Sequence, residues 1–274
     1  MTDGFDPRLL VQASALQNLR GMYEDLDGWR ERSRRLEEPQ RGSDLARDSG
    51  ATHGLGVPLH DLVRHPLISG TQHLNLARTS VEAKQVFPIA HPTAIRGALL
   101  GASRGVWLLS PSDPALRRLR AARVAAEMHL RLREWIREPE NELDPVTRAR
   151  ADDVVSARYD EHWDRKEVRA IRYSDTGVVK EAGETVFSDP HQQGAVVALW
   201  RQLSGDAHGL LWTTMTRAST TKSPLGRDPR YPLPMTQMTS GGDLHELVDA
   251  FSAAYRVLKV GWTLFDQRCT SPGS

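Results

Sequence analysis

The chain has 274 residues, of which 39% are hydrophobic and 26% charged, a composition typical of a globular protein with a real core. The chain has 36 lysine and arginine residues and 35 aspartate and glutamate residues, so its net charge does not attract it to nucleic acid or anionic lipid. This balance does not exclude a local basic patch. The single cysteine, Cys269, excludes an internal disulfide and a metal site of the CxxC type. No apolar run approaches the roughly 20 residues that cross a bilayer, and the start lacks a signal-peptide pattern. We therefore expect a cytoplasmic protein with no membrane partner.

Helix starts are marked by a repeated Asp-Pro pair. The aspartate accepts hydrogen bonds from the free N–H groups of the first turn. Proline suits the first helical position because an N–H group there would have no partner within the helix. A fifth start combines Asp243 with Glu246 in a capping-box arrangement. The four pairs that precede a helical pattern are Asp6-Pro7, Asp113-Pro114, Asp144-Pro145 and Asp189-Pro190.

Apolar residues at helical spacing predict an N-terminal helix within residues 1–37. Residues 38–56 have few apolar anchors and many Gly, Ser, Asp and Arg residues, which predicts a mobile loop. A helix is predicted over 58–84, where Pro66 and Gly70 should kink or split it.

The rest of a single helical domain follows, with a bundle core that we place over residues 57–212. A stretch rich in Thr, Ser and Pro over 213–241 predicts a long irregular loop, and residues 242–268 predict a C-terminal helix. Within the core, apolar stripes predict helices from Ile95 to Leu109 and from Leu116 to Trp135, and residues 145–171 form a highly charged helix with one weak apolar face.

Strand signals are nearly absent. One candidate hairpin lies between Gly177 and Phe187, where two β-branched pairs flank a short turn-like segment, but isolated hairpins are marginally stable. We therefore predict an all-α helical bundle with long connecting loops.

Arg201, Ser204 and His208 form the most unusual constellation in the chain. They follow one another at spacings of three and four in a segment predicted to be one helix, whose core-facing stripe runs from Val196 to Leu211. Arg201 and His208 are then two turns apart, about 10 Å along the helix axis. The neighbouring glycines should let another helix or a ligand come close.

A cation and an imidazole on one helical face suit phosphodiester chemistry without a metal ion. Histidine titrates near neutral pH and moves a proton to or from a ribose hydroxyl or a leaving oxygen. The planar fork of arginine matches the phosphate oxygens as negative charge builds on them. In this scheme Arg201 holds the scissile phosphate, His208 transfers the proton and the Ser204 hydroxyl orients a phosphate oxygen. Since one chain supplies one such histidine, a symmetry-related copy would complete an acid–base pair.

The arginine followed after six residues by a histidine resembles the R-x4-6-H motif of the HEPN superfamily. The segment from Trp200 to Gly209, together with Arg96-Gly-Ala-Leu-Leu and the later Trp107-Leu-Leu, also resembles a group of bacterial helical proteins of unknown function, over about residues 88–265. The resemblance implies a helical, usually dimeric protein, of a kind that includes many metal-independent ribonucleases of toxin–antitoxin and anti-phage systems.

Other cations complete the predicted RNA-binding set. We expect phosphate contacts from Arg96, Arg104, Arg217 and Lys222, although a solvated or salt-bridged face is the alternative for the first two. The arginine-rich stretch over residues 117–137 is interrupted by glutamates and indicates a charged surface rather than an RNA track.

These patterns predict a HEPN-like protein that binds RNA or a nucleotide, as a homodimer with metal-independent endoribonuclease activity. The alternative is a non-catalytic interaction or accessory protein with a protein partner, in which Arg201 and His208 form a buried polar cluster. A small ligand inside the bundle is neither supported nor excluded. No cofactor or metal is predicted, because His60, His65 and His73 do not share one helical face.

Overall fold

The computed structural model describes residues 7–226, 230, 235–241 and 243–271, with the side chains of residues 7–11 and 235 also outside the description. This part of the chain is helical apart from one two-stranded sheet, which confirms the all-α bundle. The helices are α1 (Pro7–Arg20), α2 (Tyr23–Ser33), α3 (Asp44–Ala51), α4 (Leu59–Glu82), α5 (Ala90–Leu109), α6 (Pro114–Arg137), α7 (Pro145–Trp163), α8 (Lys166–Ala170), α9 (Asp175–Val186), α10 (Pro190–Ala207), α11 (Leu211–Thr216) and α12 (Leu244–Cys269), and the strands are β1 (Thr220–Gly226) and β2 (Met235–Ser240).

The predicted helix starts are confirmed where the structure describes them. The aspartates of three Asp-Pro pairs, Asp113, Asp144 and Asp189, accept hydrogen bonds from backbone N–H groups of the first turns of α6, α7 and α10. Asp243 caps α12 in the same way, but Glu246 does not complete the capping box. Its carboxylate instead accepts hydrogen bonds from Ser219. The aspartate of the first pair lies outside the described residues.

Helix α5 is the central element and lies in very close contact with α4. Three of its glycines, Gly97, Gly101 and Gly105, recur every fourth residue and therefore line one side of the helix. A Cβ atom on Gly101 would lie 2.4 Å from the Pro66 carbonyl oxygen, and one on Gly105 would lie 2.5 Å from a methyl carbon of Leu67. The two helix backbones approach this closely only because these positions lack side chains.

The remaining helices surround α5. Helix α12 packs along it, burying Phe251, Leu258 and Trp262, and α9 and α10 cover another side. Helices α1 and α2 pack on α12 and α4, and α7 and α8 pack on α6. The Trp262 indole donates a hydrogen bond to the Thr71 hydroxyl on α4 and so links α12 to the core. None of the helices described is both long and apolar enough to span a membrane.

The prediction of a mobile loop over residues 38–56 is wrong. The segment contains α3 and a short 3-10 helix (His53–Leu55), and Leu45 is buried. Asp48 is also buried and accepts hydrogen bonds from Arg117 at 2.7 Å and Arg118 at 2.9 Å. The anchor is an ion pair between residues far apart in the chain, which local composition does not show.

Residues 177–187 form no hairpin, in agreement with the predicted all-α bundle, whereas the loop predicted over residues 213–241 is corrected. The candidate hairpin over residues 177–187 is helix α9, whose apolar residues pack against α5 and α10. The predicted irregular loop over 213–241 instead contains the end of α11 and an antiparallel pair, in which Thr220 lies opposite Ser240. Residues 227–229 and 231–234, between the strands, lie outside the description.

The predicted helix boundaries also change in three places. The charged helix predicted over residues 145–171 is two helices, α7 and α8, which are separated at Asp164-Arg165. The N-terminal segment forms two helices that are separated at Gly21-Met22, whereas α4 continues through Pro66 without a break. Pro66 has no N–H group, so its turn of α4 lacks one backbone hydrogen bond. Pro66 also lies at the point of closest contact with α5, and this packing stabilises the helix there.

The buried face of α6 differs from the predicted apolar stripe. Leu132 and Trp135 are exposed, and four of the seven residues that α6 buries are alanines. The buried residues are Arg117, Ala121, Ala122, Ala125, Ala126, His129 and Ile136. Alanines allow close helix packing, which a search for large apolar residues overlooks.

The close contact between α4 and α5 predicts the effect of adding one methyl group. Gly101→Ala should lower the free energy of unfolding by about 1–3 kcal/mol, because the new Cβ overlaps the Pro66 carbonyl. The matched control is Gly194→Ala in α10, where a Cβ meets nothing within 4 Å. That variant should gain about 0.5–1 kcal/mol from helix propensity. Urea unfolding measures both, and equal effects in the two variants would contradict the packing argument.

Two buried histidines predict how stability depends on pH. His129 on α6 and His162 on α7 stack with ring centroids 5.7 Å apart, and burial lowers the pKa of each below the ordinary 6.5. Both are therefore neutral in the folded chain, whereas the unfolded chain binds protons on them below pH 6.5. Their contribution to stability is complete above that pH and is lost as the pH falls.

We expect the free energy of unfolding to decrease between about pH 7.5 and about pH 5.5, and to decrease less in His129→Phe. Urea unfolding at the two pH values measures the difference. The exposed His191 provides the control, because His191→Phe should leave the wild-type pH dependence in place. An equal decrease in wild type and His129→Phe would exclude this pair as a cause.

Candidate functional site

The end of α10 positions His208. The helix ends at Ala207, His208 is the C-terminal cap, and Gly209 adopts a left-handed backbone with φ of 65°. The prediction that one helix continues to Leu211 is therefore wrong, since glycine at this position stops the helix. The His208 N–H still donates to the Ser204 carbonyl at 3.1 Å, which keeps His208 one turn beyond Ser204.

Arg201 and His208 are both exposed to solvent. Neither side chain makes a hydrogen bond or an ion pair with any residue that the structure describes. The alternative interpretation, in which they form a buried polar cluster that fixes helix packing, is therefore wrong. Their charge and their hydrogen-bonding groups are available to a ligand.

Arg96 on α5 reaches this end of α10. Its Nε donates a hydrogen bond to the Ser204 hydroxyl at 3.1 Å, and its guanidinium lies over the Trp200 ring at 4.6 Å from the ring centre. The Trp200 indole in turn donates to Thr176, so the ring itself is fixed. The terminal nitrogens of Arg96 make no hydrogen bond within the described chain. The guanidinium is thus held in place with its outer edge free.

Trp212 on α11 completes the surface and was not predicted. A Cβ on Gly205 would lie 2.8 Å from the indole ring of Trp212, so the ring packs directly on α10. Gly205 lies between Arg201 and His208 in the sequence, and Trp212 remains 43% exposed. The sequence signal was the glycine, which was expected to admit a neighbouring element. We call the five residues Arg96, Arg201, Ser204, His208 and Trp212 the arginine–histidine surface.

The other predicted phosphate-binding residues do not join this surface. Arg104 pairs with Asp175 at 3.0 Å, so its charge is balanced. Arg217 is 7% exposed and lies 2.6 Å from Asp206, which corrects the expectation of a free cation in a loop. Lys222 is exposed on β1, and no hydrogen bond or ion pair between described residues links it to the surface.

A cavity of about 630 Å³ lies along the other face of α10. At 100° per residue, its lining residues on α10 are about half a turn away from Arg201, Ser204 and His208. Those lining residues are Gln192, Ala195, Val196, Leu199, Gln202, Leu203 and Asp206. The cavity extends to the N-terminal end of α5 and to the first half of α12. It was not predicted from the sequence.

Within the part of the chain described, no group of three or more histidine, cysteine, aspartate or glutamate residues is placed to hold a metal ion. The arginine–histidine surface itself offers two guanidiniums, one imidazole, one hydroxyl and an indole. Such groups bind anions and stack on aromatic rings.

Comparison of the chain with models of protein families, with curated proteins and with solved structures finds no match. The relationship to the HEPN superfamily therefore rests on the sequence motif and stays a prediction.

Proposed function

We propose that the chain binds single-stranded RNA on the arginine–histidine surface. The observation that carries the proposal is the position of Arg96, which contacts Ser204 from a different helix although the two residues are 108 positions apart. One of the four residues predicted to contact phosphate, Arg96, thus meets one of the predicted catalytic residues, Ser204. Arg201 and His208 are exposed on this surface and have no partner among the residues that the structure describes.

Phosphate recognition follows from the state of the two arginines. Arg96 is oriented by Trp200 and Ser204, so it loses little side-chain freedom when its outer nitrogens bind phosphate oxygens. Arg201 adds a second positive charge that no nearby carboxylate neutralises in the described chain. Two such cations bind a phosphodiester backbone without regard to sequence, and binding should weaken as salt increases.

Trp212 favours single-stranded RNA over a duplex. Its half-exposed ring packs on Gly205, which lies between Arg201 and His208 in the sequence, and unpaired bases stack on aromatic rings next to a basic groove. The bases of a duplex are already stacked on each other and do not reach such a ring.

We further propose that the chain cleaves the bound RNA without a metal ion, as a homodimer in a toxin or defence system. Attack of the ribose 2′-hydroxyl on phosphorus requires one group to remove its proton and another to protonate the leaving 5′ oxygen. His208 performs one of these transfers, and a second copy of the chain supplies the other imidazole. The resemblance to the R-x4-6-H motif supports this step, and so does the exposure of His208.

The binding proposal is tested by titrating a short labelled single-stranded RNA at several salt concentrations and following its fluorescence anisotropy. Arg201→Gln should weaken binding and lower the slope of log affinity against log salt by about 0.7, the value for one phosphate contact on a single strand. The matched control is Arg150→Gln, which removes an exposed and unpaired arginine from α7. Trp212→Ala should cost about 1 kcal/mol or more in binding, whereas Trp135→Ala on α6 should cost nothing. Identical salt slopes in wild type and Arg201→Gln would refute binding at this surface.

Cleavage is tested separately, with RNA incubated in EDTA and analysed on gels. His208→Ala should abolish cleavage with little change in thermal stability, because the side chain is exposed and has no described partner. His191→Ala, at the other end of the same helix, should cleave like wild type. Binding without any cleavage by the wild-type chain would overturn the ribonuclease proposal and leave the binding proposal intact.

A further inference from the structure

The cavity on the other face of α10 contains a buried donor without a partner. His91, near the start of α5, lines the cavity and is 3% exposed. Its Nδ1 accepts a hydrogen bond from the Phe87 N–H at 2.8 Å. Nδ1 therefore carries no proton, and in the neutral ring the proton lies on Nε2. That Nε2 is buried and has no hydrogen-bond partner.

Burial keeps this ring neutral. It lowers the pKa of His91 below its ordinary value of 6.5. The group left unsatisfied is thus an uncharged N–H donor. Buried donors without partners are rare in proteins, and a frequent explanation is a bound molecule that accepts the missing hydrogen bond.

A second unsatisfied group lies in the same cavity. Arg217 Nη2 is 2.6 Å from Asp206 Oδ2, and both side chains are almost fully buried. This contact is an ion pair, and Nη1, the other terminal nitrogen of Arg217, has no hydrogen-bond partner in the described part of the chain. The pair contributes no net charge, but it leaves further donors beside the cavity.

The charges of the lining exclude an anionic ligand. Four carboxylates, those of Asp206, Asp243, Glu246 and Asp249, outnumber the guanidiniums of Arg217 and Arg256. Arg217 balances the charge of Asp206, whereas the His245 N–H and Ser219 are uncharged donors that leave the charges of Asp243 and Glu246 in place. A cation has no lone pair with which to accept the His91 N–H, whereas an uncharged acceptor oxygen finds this donor free.

The rest of the lining is mainly apolar. The cavity volume of about 630 Å³ lies within the range of small-molecule sites in proteins. The apolar lining includes Phe87, Pro92, Phe187, Leu199, Leu203 and Leu247.

We propose that this cavity binds an uncharged, largely apolar small molecule whose carbonyl-type oxygen accepts a hydrogen bond from His91 Nε2. Bound ligand would join α5, α10 and α12, which meet at the cavity. The site is separate from the arginine–histidine surface and does not depend on RNA binding.

The test uses Prodan, a neutral naphthalene dye with one carbonyl group, whose fluorescence reports transfer from water to an apolar site. Titration of the full chain should show saturable, blue-shifted binding. Ala253→Trp, which adds an indole to the lining, should weaken binding at least about tenfold. The anionic dye ANS should bind the wild-type chain more weakly than Prodan does.

Variants of His91 separate the donor from the shape of the ring. His91→Asn keeps an acceptor near the Phe87 N–H but removes the Nε2 donor, and should weaken Prodan binding about tenfold. His91→Gln places an amide N–H near the position of Nε2 and should bind within about threefold of wild type. The control His129→Phe changes a buried histidine outside the cavity and should bind like wild type.

Circular dichroism melting establishes that each variant is folded before it is compared. The proposal is overturned if Prodan does not bind, if Ala253→Trp binds it as well as wild type, if His91→Asn and His91→Gln bind equally, or if ANS binds more tightly than Prodan.

Discussion

The structure depends on the close contact between α4 and α5. Gly101 brings the backbone of α5 against the Pro66 carbonyl, and Gly105 admits Leu67, so the depth and rotation of α5 are fixed by steric contact. Both proposed sites include a residue of α5. Arg96, which directly precedes Gly97, contacts Ser204, and His91, five residues earlier on α5, lines the cavity. A shift of α5 relative to α4 would therefore move both residues.

Helix α10 separates the two proposed sites from each other. Its cavity-lining residues and the line of Arg201, Ser204 and His208 occupy opposite faces, so an RNA on one face and a small molecule on the other do not compete for the same atoms. The helix is nonetheless shared, and ligand bound in the cavity would also stabilise the position of α10 against α5. The two proposed sites thus lie on the two sides of one helix.

Local sequence patterns predicted the helices well, because capping residues and apolar spacing act over a few residues. Asp144 and Asp189 begin helices as expected. The fold of residues 38–56 could not be predicted, since the Asp48–Arg117 pair is formed by tertiary packing. The same limit applies to the sites. Helical spacing grouped Arg201, Ser204 and His208, but the contribution of Trp212 and the unsatisfied His91 donor depend on contacts between separate helices.

NMR of the histidine side chains tests RNA binding at the arginine–histidine surface most directly. When single-stranded RNA is added to the full chain, we expect the imidazole resonances of His208 to shift in a saturable, salt-dependent way, because the ring is exposed at the end of α10, on the proposed RNA-binding surface. The resonances of His91 and His129, which are buried elsewhere, should stay in place. Saturation with RNA while the His208 resonances remain unchanged would contradict the account.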